Sequence, residues 1–228
     1  MRLSKFLTLS VAMSRNQAKY CIRKGRVFVA GQLVTDPDCE ISETSDATFD
    51  GNPISIVSYQ YFMLNKPVSF VCTTTESESN SVLNLIRNQS KEKKYYLANI
   101  LRTELSGLVL ISDNARWVNR TKLKILEKKS VYQLESKRHV SDEEVLEIKK
   151  AWLTTEKKQS GSTIDIQKKD AQTLILSIKQ LRVTDLLEIC SSLNIPIEKI
   201  HLKQVGRLDL GDLETGGYLE LTEKDIRL

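Results

Sequence analysis

The stretch SRNQAKYCIRKGRVFVAGQLVTDP, from Ser14 to Pro37, decides the fold of the N-terminal part of the chain. Ser14 is a favoured helix N-cap and Gly25 suits the position just past a helix C-terminus, so the pattern predicts a helix over residues 15–24. Beyond it, apolar and polar residues alternate around a turn at Ala30-Gly31, which is typical of a β-hairpin. Upstream, apolar residues at near-helical spacing predict another helix over residues 2–11. We therefore expect two helices followed by a hairpin.

Charge is segregated along this part of the chain. The first thirty residues contain seven bases and no acid, whereas residues 31–58 contain six acids and no base. The bases are Arg2, Lys5, Arg15, Lys19, Arg23, Lys24 and Arg26. Segregated positive charge suits a polyanion, because each phosphate that a base neutralises releases counterions. A second basic run, with Glu127 as its only acid, consists of Arg116, Arg120, Lys122, Lys124, Lys128 and Lys129. For either run the alternative is a solvated helix face.

The overall composition is that of an ordinary globular protein. Of the 228 residues, 40% are hydrophobic and 28% are charged, which allows a core of normal size, and the formal net charge is +5. Four cysteines without a CxxC pair argue against a zinc framework and predict reduced thiols in the cytoplasm. His139 and His201 are too few and too separated for a metal site, so no metal is expected. No run approaches the roughly 20 apolar residues of a membrane span.

A turn and a linker strand over residues 50–58 separate an N-terminal domain, residues 1–58, from a second domain, residues 59–228. Strands are predicted in the second domain at YFMLNK, SFVCTT, GLVLIS, SVYQLES, TLILSIK and KIHLKQVG. Helices are predicted over residues 81–88, 141–153 and 183–193, and a turn over residues 159–162. This mixture predicts an α+β fold in which flanking helices cover a largely antiparallel, mixed sheet.

The N-terminal pattern resembles an S4 RNA-binding domain. The specific features are Ser14-Arg15, seven intervening residues, the run Arg23-Lys24-Gly25-Arg26-Val27, a hairpin, and Asp36-Pro37. The resemblance implies a small module that binds structured RNA through its two helices and the entry to its hairpin. The contact residues that it implies, nearly the set that charge alone selects, are Arg2, Lys5, Ser14, Arg15, Lys19, Arg23, Lys24 and Arg26.

The second domain resembles the catalytic domain of ribosomal small-subunit pseudouridine synthases, in which an S4 domain comes first. The matching segments are YFMLNKPVSFVCTT over residues 61–74, SGLVLISDNARW over residues 106–117, Tyr132, and GDLETGGYLELTEKDI over residues 211–226. The resemblance implies that uridine in ribosomal RNA is flipped out and isomerised to pseudouridine. It also implies an essential aspartate with a basic partner, a tyrosine that stacks on the uracil, and no metal or cofactor. A monomer is expected.

Two positions depart from that pattern. The aspartate of the family's Gly-Arg-Leu-Asp motif is expected five residues before Gly107, where this chain has Arg102. A guanidinium stays protonated and cannot act as a carboxylate. The positions expected to hold the basic partner contain Asp185 and Leu186, whereas the ring is retained as Tyr132. These changes predict an inverted ion pair between Arg102 and Asp185, and the alternative is that both side chains face water.

Two other carboxylates are candidates to replace the missing aspartate. Glu104 lies two residues past the vacant position, and Asp209 ends a literal Gly-Arg-Leu-Asp string whose different context makes it a coincidence. The favoured hypothesis is a structured-RNA-binding protein that has a pseudouridine synthase scaffold and impaired catalysis. The alternatives are an active synthase with a displaced carboxylate and a protein-interaction module that no longer binds RNA. From the sequence, whether the chain is an enzyme stays open.

Overall fold

The structure is a computed structural model. It describes residues 1–11, 13–56, 58–75, 78–86, 93–154, 162–179, 182–222 and 224–226. The chain divides into two compact units, Met1–Ser58 and Tyr59–Leu228. The end of the helix predicted over residues 81–88 and most of the turn predicted over residues 159–162 lie outside the described residues.

The first unit consists of two helices and a small antiparallel sheet. Its elements are α1 (Leu3–Ser10), α2 (Arg15–Arg23), β1 (Val27–Val29), β2 (Gln32–Leu33), β3 (Ala47–Phe49) and β4 (Asn52–Ile54). The strands lie in the order β2-β1-β3-β4. Leu7, Ile22 and Val27 meet in the buried core between the helices and the sheet. The predicted pair of helices and hairpin are confirmed.

Local chemistry explains where α2 begins and ends. The Ser14 side-chain oxygen accepts a hydrogen bond from the Gln17 backbone N–H at 3.3 Å, and Gln17 Oε1 accepts one from the Ser14 N–H at 2.8 Å. This reciprocal capping box satisfies two helix donors that would otherwise have no partner. Gly25 then adopts a φ of +71°, the left-handed conformation that commonly ends helices.

The second unit is an α+β domain built on one large sheet. Its helices are α3 (Ala115–Glu127), α4 (Asp142–Thr154), α5 (Val183–Ser192) and a 3-10 helix (Val82–Leu85). Its strands are β5 (Tyr61–Lys66), β6 (Tyr96–Leu97), β7 (Ser106–Ser112), β8 (Ser130–Ser136), β9 (Thr163–Lys168), β10 (Thr173–Lys179), β11 (Ile197–Val205), β12 (Leu208–Asp209) and β13 (Tyr218–Glu220). The order is β13-β5-β7-β11-β8-β10-β9, with β12 beside β11 and β6 beside β7. The pairing of β7 with β11 is parallel and the other pairings among the described strands are antiparallel, so the predicted fold class is confirmed.

The segment after β5 differs from the sequence-based expectation. The run SFVCTT, predicted as a strand, contributes to the described structure an isolated bridge between Val71 and Ser81. The segment folds back on itself, because the Ser81 hydroxyl donates a hydrogen bond to the Thr73 carbonyl at 2.9 Å. The α-helix predicted from residue 81 is a 3-10 helix of four residues.

Helix α3 was not predicted from the sequence, and it carries most of the second basic run. The Asn114 side-chain oxygen caps it by accepting a hydrogen bond from the Trp117 backbone N–H at 3.0 Å. Its buried residues are Trp117, Val118 and Thr121. Because bases occupy so many of the remaining positions, this short apolar face is easily overlooked in the sequence.

Gly107 lets β7 approach β11 at their parallel contact. Gly107 pairs with Leu202, and its φ of +116° lies in a region that L side chains rarely adopt. A Cβ at this position would lie 2.2 Å from the Leu202 carbonyl oxygen. This close contact holds the chain just before β7 against β11, and that chain forms a wall of the candidate site.

Candidate functional site

The bases of α2 form a positive stripe on the first unit. Arg15, Lys19 and Arg23 recur every four residues, so they lie along one side of the helix. Arg15 and Arg23 are exposed and Lys19 is partly exposed. In the part of the chain that the structure describes, no acidic side chain lies within ion-pair distance of the three. The stripe is therefore open to an anionic partner.

The other predicted RNA contacts are placed less uniformly. Arg2 lies 3.2 Å from a carboxylate oxygen of Asp38, and both side chains are exposed. Arg26 is held by Asp50: its Nε donates to Oδ1 at 2.7 Å and its NH2 contacts Oδ2. The hydrogen bonds from Arg26 lower the pKa of Asp50. The Ser14 hydroxyl is engaged in capping α2. The predicted basic contacts without an acidic partner among the described residues are Lys5, Arg15, Lys19, Arg23 and Lys24.

The second unit contains a cavity of about 580 Å³ beside Tyr132. The chain before β7, helix α3, the start of α5 and strands β8, β10 and β11 contribute to its walls. The walls are largely apolar, and the cations among the lining residues are Arg102, Lys122, Lys128 and Arg182. Among the described residues, no aspartate or glutamate lines this cavity. The cavity is therefore largely apolar and carries positive charge.

Tyr132 is the aromatic member of the cavity wall. It lies on β8, where it pairs with Leu176 of β10 and Leu202 of β11. Burial raises the pKa of Tyr132 to about 12, so the phenol keeps its proton at neutral pH. A neutral ring in an apolar wall can stack on a flat base, whereas it cannot replace a carboxylate as a base or a nucleophile.

A buried lysine, Lys66, holds the chain that carries Arg102. The Lys66 side chain is fully buried. Its ammonium donates hydrogen bonds to the carbonyls of Leu105 at 2.6 Å and Pro67 at 2.9 Å, with a longer one to Thr103 at 3.5 Å. Burial lowers the pKa of Lys66, because the charged form loses water. Sequence reasoning missed this residue, although a lysine inside the apolar run YFMLNK is a visible signal.

Asn99 holds the other side of the same segment. Its amide nitrogen donates to the Leu108 carbonyl at 2.8 Å, and its amide oxygen accepts from the Leu110 backbone N–H at 2.9 Å. Together with Lys66, it ties residues on both sides of Arg102 to neighbouring backbone. Residue 102 is therefore presented to the cavity by a restrained segment.

The predicted ion pair between Arg102 and Asp185 is wrong. The Arg102 side chain is 69% exposed, and its NH1 lies 3.8 Å from Glu104 Oε1. Asp185 is buried in the first turn of α5, where it accepts a hydrogen bond from Arg182 NH2 at 3.3 Å. The partner three residues earlier in the chain satisfies this carboxylate locally, so Arg102 is not needed. Leu186 is also buried and belongs to the hydrophobic core.

Neither candidate carboxylate lines the cavity. Glu104 is 60% exposed and lies beside Arg102. Asp209 is exposed on β12 and accepts a hydrogen bond from the Gly211 backbone N–H at 2.7 Å, which is a local turn contact. The interpretation of Asp209 as a coincidental motif agrees with this position.

One of the two histidines lies beside a hydroxyl and the other is exposed. His201 Nδ1 lies 2.9 Å from the Ser106 hydroxyl, and burial lowers the pKa of this imidazole. His139 is exposed. Over the described ranges, no group of three or more His, Cys, Asp and Glu side chains is arranged to hold a metal ion.

Comparisons with known proteins match both units. The family model for the S4 domain matches residues 1–44. An uncharacterized RNA pseudouridine synthase of Aquifex aeolicus is 32% identical, with 100% of this chain and 95% of that protein covered. The ribosomal small subunit pseudouridine synthases A of Yersinia pestis and Escherichia coli are 26% and 27% identical, with 99% of this chain covered in each case and 97% and 98% of those proteins.

A solved structure supports the same fold. The crystal structure of a pseudouridylate synthase matches with a TM-score of 0.61 at 24% identity, covering 99% of this chain and 98% of that one. The S4 resemblance of the N-terminal residues is confirmed. Within the described residues, no helix is long and apolar enough to cross a membrane.

Proposed function

The chain belongs to the RNA pseudouridine synthase family, and from this premise we propose that it is a structured-RNA-binding member whose catalytic step is impaired. One observation carries the proposal: the cavity beside Tyr132 has cations and apolar groups in its described walls and no carboxylate. The likeness to ribosomal small-subunit enzymes makes ribosomal RNA the first target to test.

The impairment follows from the chemistry expected of the site. The family resemblance assigns the essential step to an aspartate, and this chain has Arg102 at that position. Arginine is protonated at every relevant pH, so it can neither accept a proton nor attack carbon. Tyr132, with its pKa of about 12, remains a neutral phenol and cannot take over that role. The described walls of the cavity suit binding of a nucleobase, but they lack the group that would isomerise that nucleobase.

RNA recognition is assigned to the first unit. The α2 stripe of Arg15, Lys19 and Arg23 offers three charges to phosphates, and the S4 model covers this helix. Phosphate contacts position a protein on RNA without reading its sequence. Recognition is therefore expected to depend on the shape of the RNA and to weaken steeply with salt.

The names of the relatives favour an active isomerase as the second candidate. In that case a displaced carboxylate has to reach the cavity, and Glu104, the carboxylate nearest in sequence to Arg102, is the first candidate. Its side chain is exposed and makes one long contact with Arg102, so little holds it in its present position.

A pseudouridine assay separates the two candidates. Ribosomal RNA that lacks its natural pseudouridines is incubated with the wild-type chain and with Glu104→Ala, and the product is quantified. We expect no product from either protein. Product from the wild type that Glu104→Ala abolishes would establish the isomerase and refute the proposal.

A binding measurement tests the RNA assignment. Arg15, Lys19 and Arg23 are changed together to alanine, and affinity for a ribosomal RNA stem-loop is measured over a range of salt. Loss of three phosphate contacts should lower the slope of log affinity against log salt by about 2–3. A matched control replaces three exposed lysines of the second unit, Lys137, Lys150 and Lys169. If the α2 variant binds as the wild type does, the S4 unit is not the RNA-binding site.

A further inference from the structure

Helix α3 of the second unit carries a positive stripe with the same spacing as the stripe on α2. Arg116, Arg120 and Lys124 recur every four residues and are all exposed. Eight residues at a rise of about 1.5 Å give the stripe a length of roughly 12 Å. One strand of a nucleic acid helix has a phosphate about every 3.4 Å along its axis, so the stripe spans three to four phosphates.

The same helix supplies two of the cations at the cavity. Lys122 on α3 and Lys128 at its C-terminal end both line it, and Lys129 follows. The exposed Leu126, between these two lysines, also lines the cavity. Successive residues lie about 100° apart around a helix, so Lys122 and Leu126 are on a different side of α3 from the stripe of Arg116, Arg120 and Lys124. The stripe and the cavity therefore use different sides of the same helix.

Several other cations of this unit have an acidic partner, which the α3 bases lack in the described structure. Lys93 lies 3.0 Å from Asp113, Arg138 lies 2.6 Å from Glu144, and Lys199 lies 2.8 Å from Glu135. Within the ranges that the structure describes, no acid lies at ion-pair distance from Arg116, Arg120, Lys122, Lys124, Lys128 or Lys129. Like charges four residues apart on a helix repel each other, and an anionic partner would remove that repulsion.

From this arrangement we infer that the side of α3 formed by Arg116, Arg120 and Lys124 is a second RNA-binding surface, independent of the S4 unit, which holds RNA phosphates away from the cavity. The inference rests on the proposed function, since it requires that the chain binds RNA. The buried side of α3, formed by Trp117, Val118 and Thr121, is already packed against the domain, so only its basic side is available. A run of phosphates complements the three exposed bases of this side.

The test replaces the α3 stripe in the full-length chain. Arg116, Arg120 and Lys124 are changed together to alanine, both in the wild type and in the α2 triple variant. The probe is a labelled RNA stem-loop with a uridine-rich loop, and its affinity is measured over a range of salt. At 0.1 M salt each single-strand contact contributes a factor of about 5, so affinity should fall roughly a hundredfold and the salt slope by about 2.

Two controls isolate charge as the cause. The variant Lys137→Ala, Lys150→Ala, Lys169→Ala removes the same charge from other exposed positions of the second unit and should bind nearly as the wild type does. The variant Arg116→Lys, Arg120→Lys, Lys124→Arg keeps the charge and should retain affinity. Because all three residues are exposed, the circular dichroism spectrum of each variant should match that of the wild type.

The outcomes distinguish this inference from the proposed function. If the wild-type chain shows no salt-dependent RNA binding, both fail. If the α2 variant loses affinity and the α3 variant does not differ from its charge-matched control, the inference alone is overturned. Equal affinity of the α2 triple variant for polyglutamate and for RNA would also overturn it, because α3 would then be a general site for acidic polymers.

Discussion

Replacing Gly107 with alanine tests how closely β7 and β11 must approach. The added Cβ would lie 2.2 Å from the Leu202 carbonyl oxygen, 2.5 Å from its nitrogen and 2.8 Å from its carbonyl carbon. These are backbone atoms in the middle of a sheet and cannot move aside cheaply. Backbone strain at a φ of +116° contributes about 1–3 kcal/mol and overpacking about 1–3 kcal/mol, so the free energy of unfolding should fall by about 2–6 kcal/mol.

The matched control is Gly211→Ala. Gly211 also has a positive φ, +53°, but no atom lies within 4 Å of the position of an added Cβ. Its substitution should cost only the backbone term, about 1–2 kcal/mol. The difference between the two variants therefore measures the steric conflict at Leu202.

Urea unfolding followed by tryptophan fluorescence suits this comparison. Trp117 and Trp152, the two tryptophans of the chain, are both buried in the second unit, so the signal reports on that unit alone. If Gly107→Ala loses no more stability than Gly211→Ala, the close packing of β7 on β11 is not what requires glycine at residue 107.

Two further predictions concern pH. The hydrogen bond from Arg138 and the one from the Ser141 backbone N–H lower the pKa of Glu144 from 4.5 to about 2, so this contribution to stability is present above pH 4.5 and is lost as the pH falls toward 2. Over that range the melting temperature of Glu144→Gln should fall less than that of the wild type. Equal falls would show that the contacts of Glu144 do not stabilise the fold. Burial raises the pKa of Tyr132 from 10.0 to about 12, so its contribution is present below pH 10 and is lost as the pH rises toward 12. Urea unfolding of Tyr132→Phe should be less sensitive to pH over that interval, and identical profiles would show that the phenol is solvated.

The elements predicted correctly from sequence have local causes. Helix α2 depends on a cap at Ser14 and a stop at Gly25, contacts made within a few residues of the chain. Helix α4 likewise begins just after Ser141, whose hydroxyl accepts a hydrogen bond from the Glu144 backbone N–H at 3.2 Å. Such contacts join residues that are close in sequence. The continuous apolar run of β7 and the partial alternation of apolar and polar residues in β8 and β10 are equally visible in the sequence.

The candidate site was only partly predictable. Motif spacing predicts that residue 102 stands at the family's aspartate position and that Tyr132 is the retained ring, and in the structure both residues line one cavity. The predicted pairing of Arg102 with Asp185 was wrong, because the sequence does not show which of several bases lies beside a buried carboxylate. The start of α5 brings Arg182 to Asp185, and Arg102 is left exposed.

Sequence alone was sufficient to predict the S4 domain and the α+β character of the second domain, because local spacing and residue type carry that information. Tertiary structure decided which charges remain free for a ligand. Arg26 and Asp50 are 24 residues apart and pair only because β1 and β3 are neighbours, whereas the bases of α3 find no such partner in the described structure. Ion pairs between distant residues depend on strand register and helix packing, which are collective properties of the fold and have no signature in any short stretch of sequence.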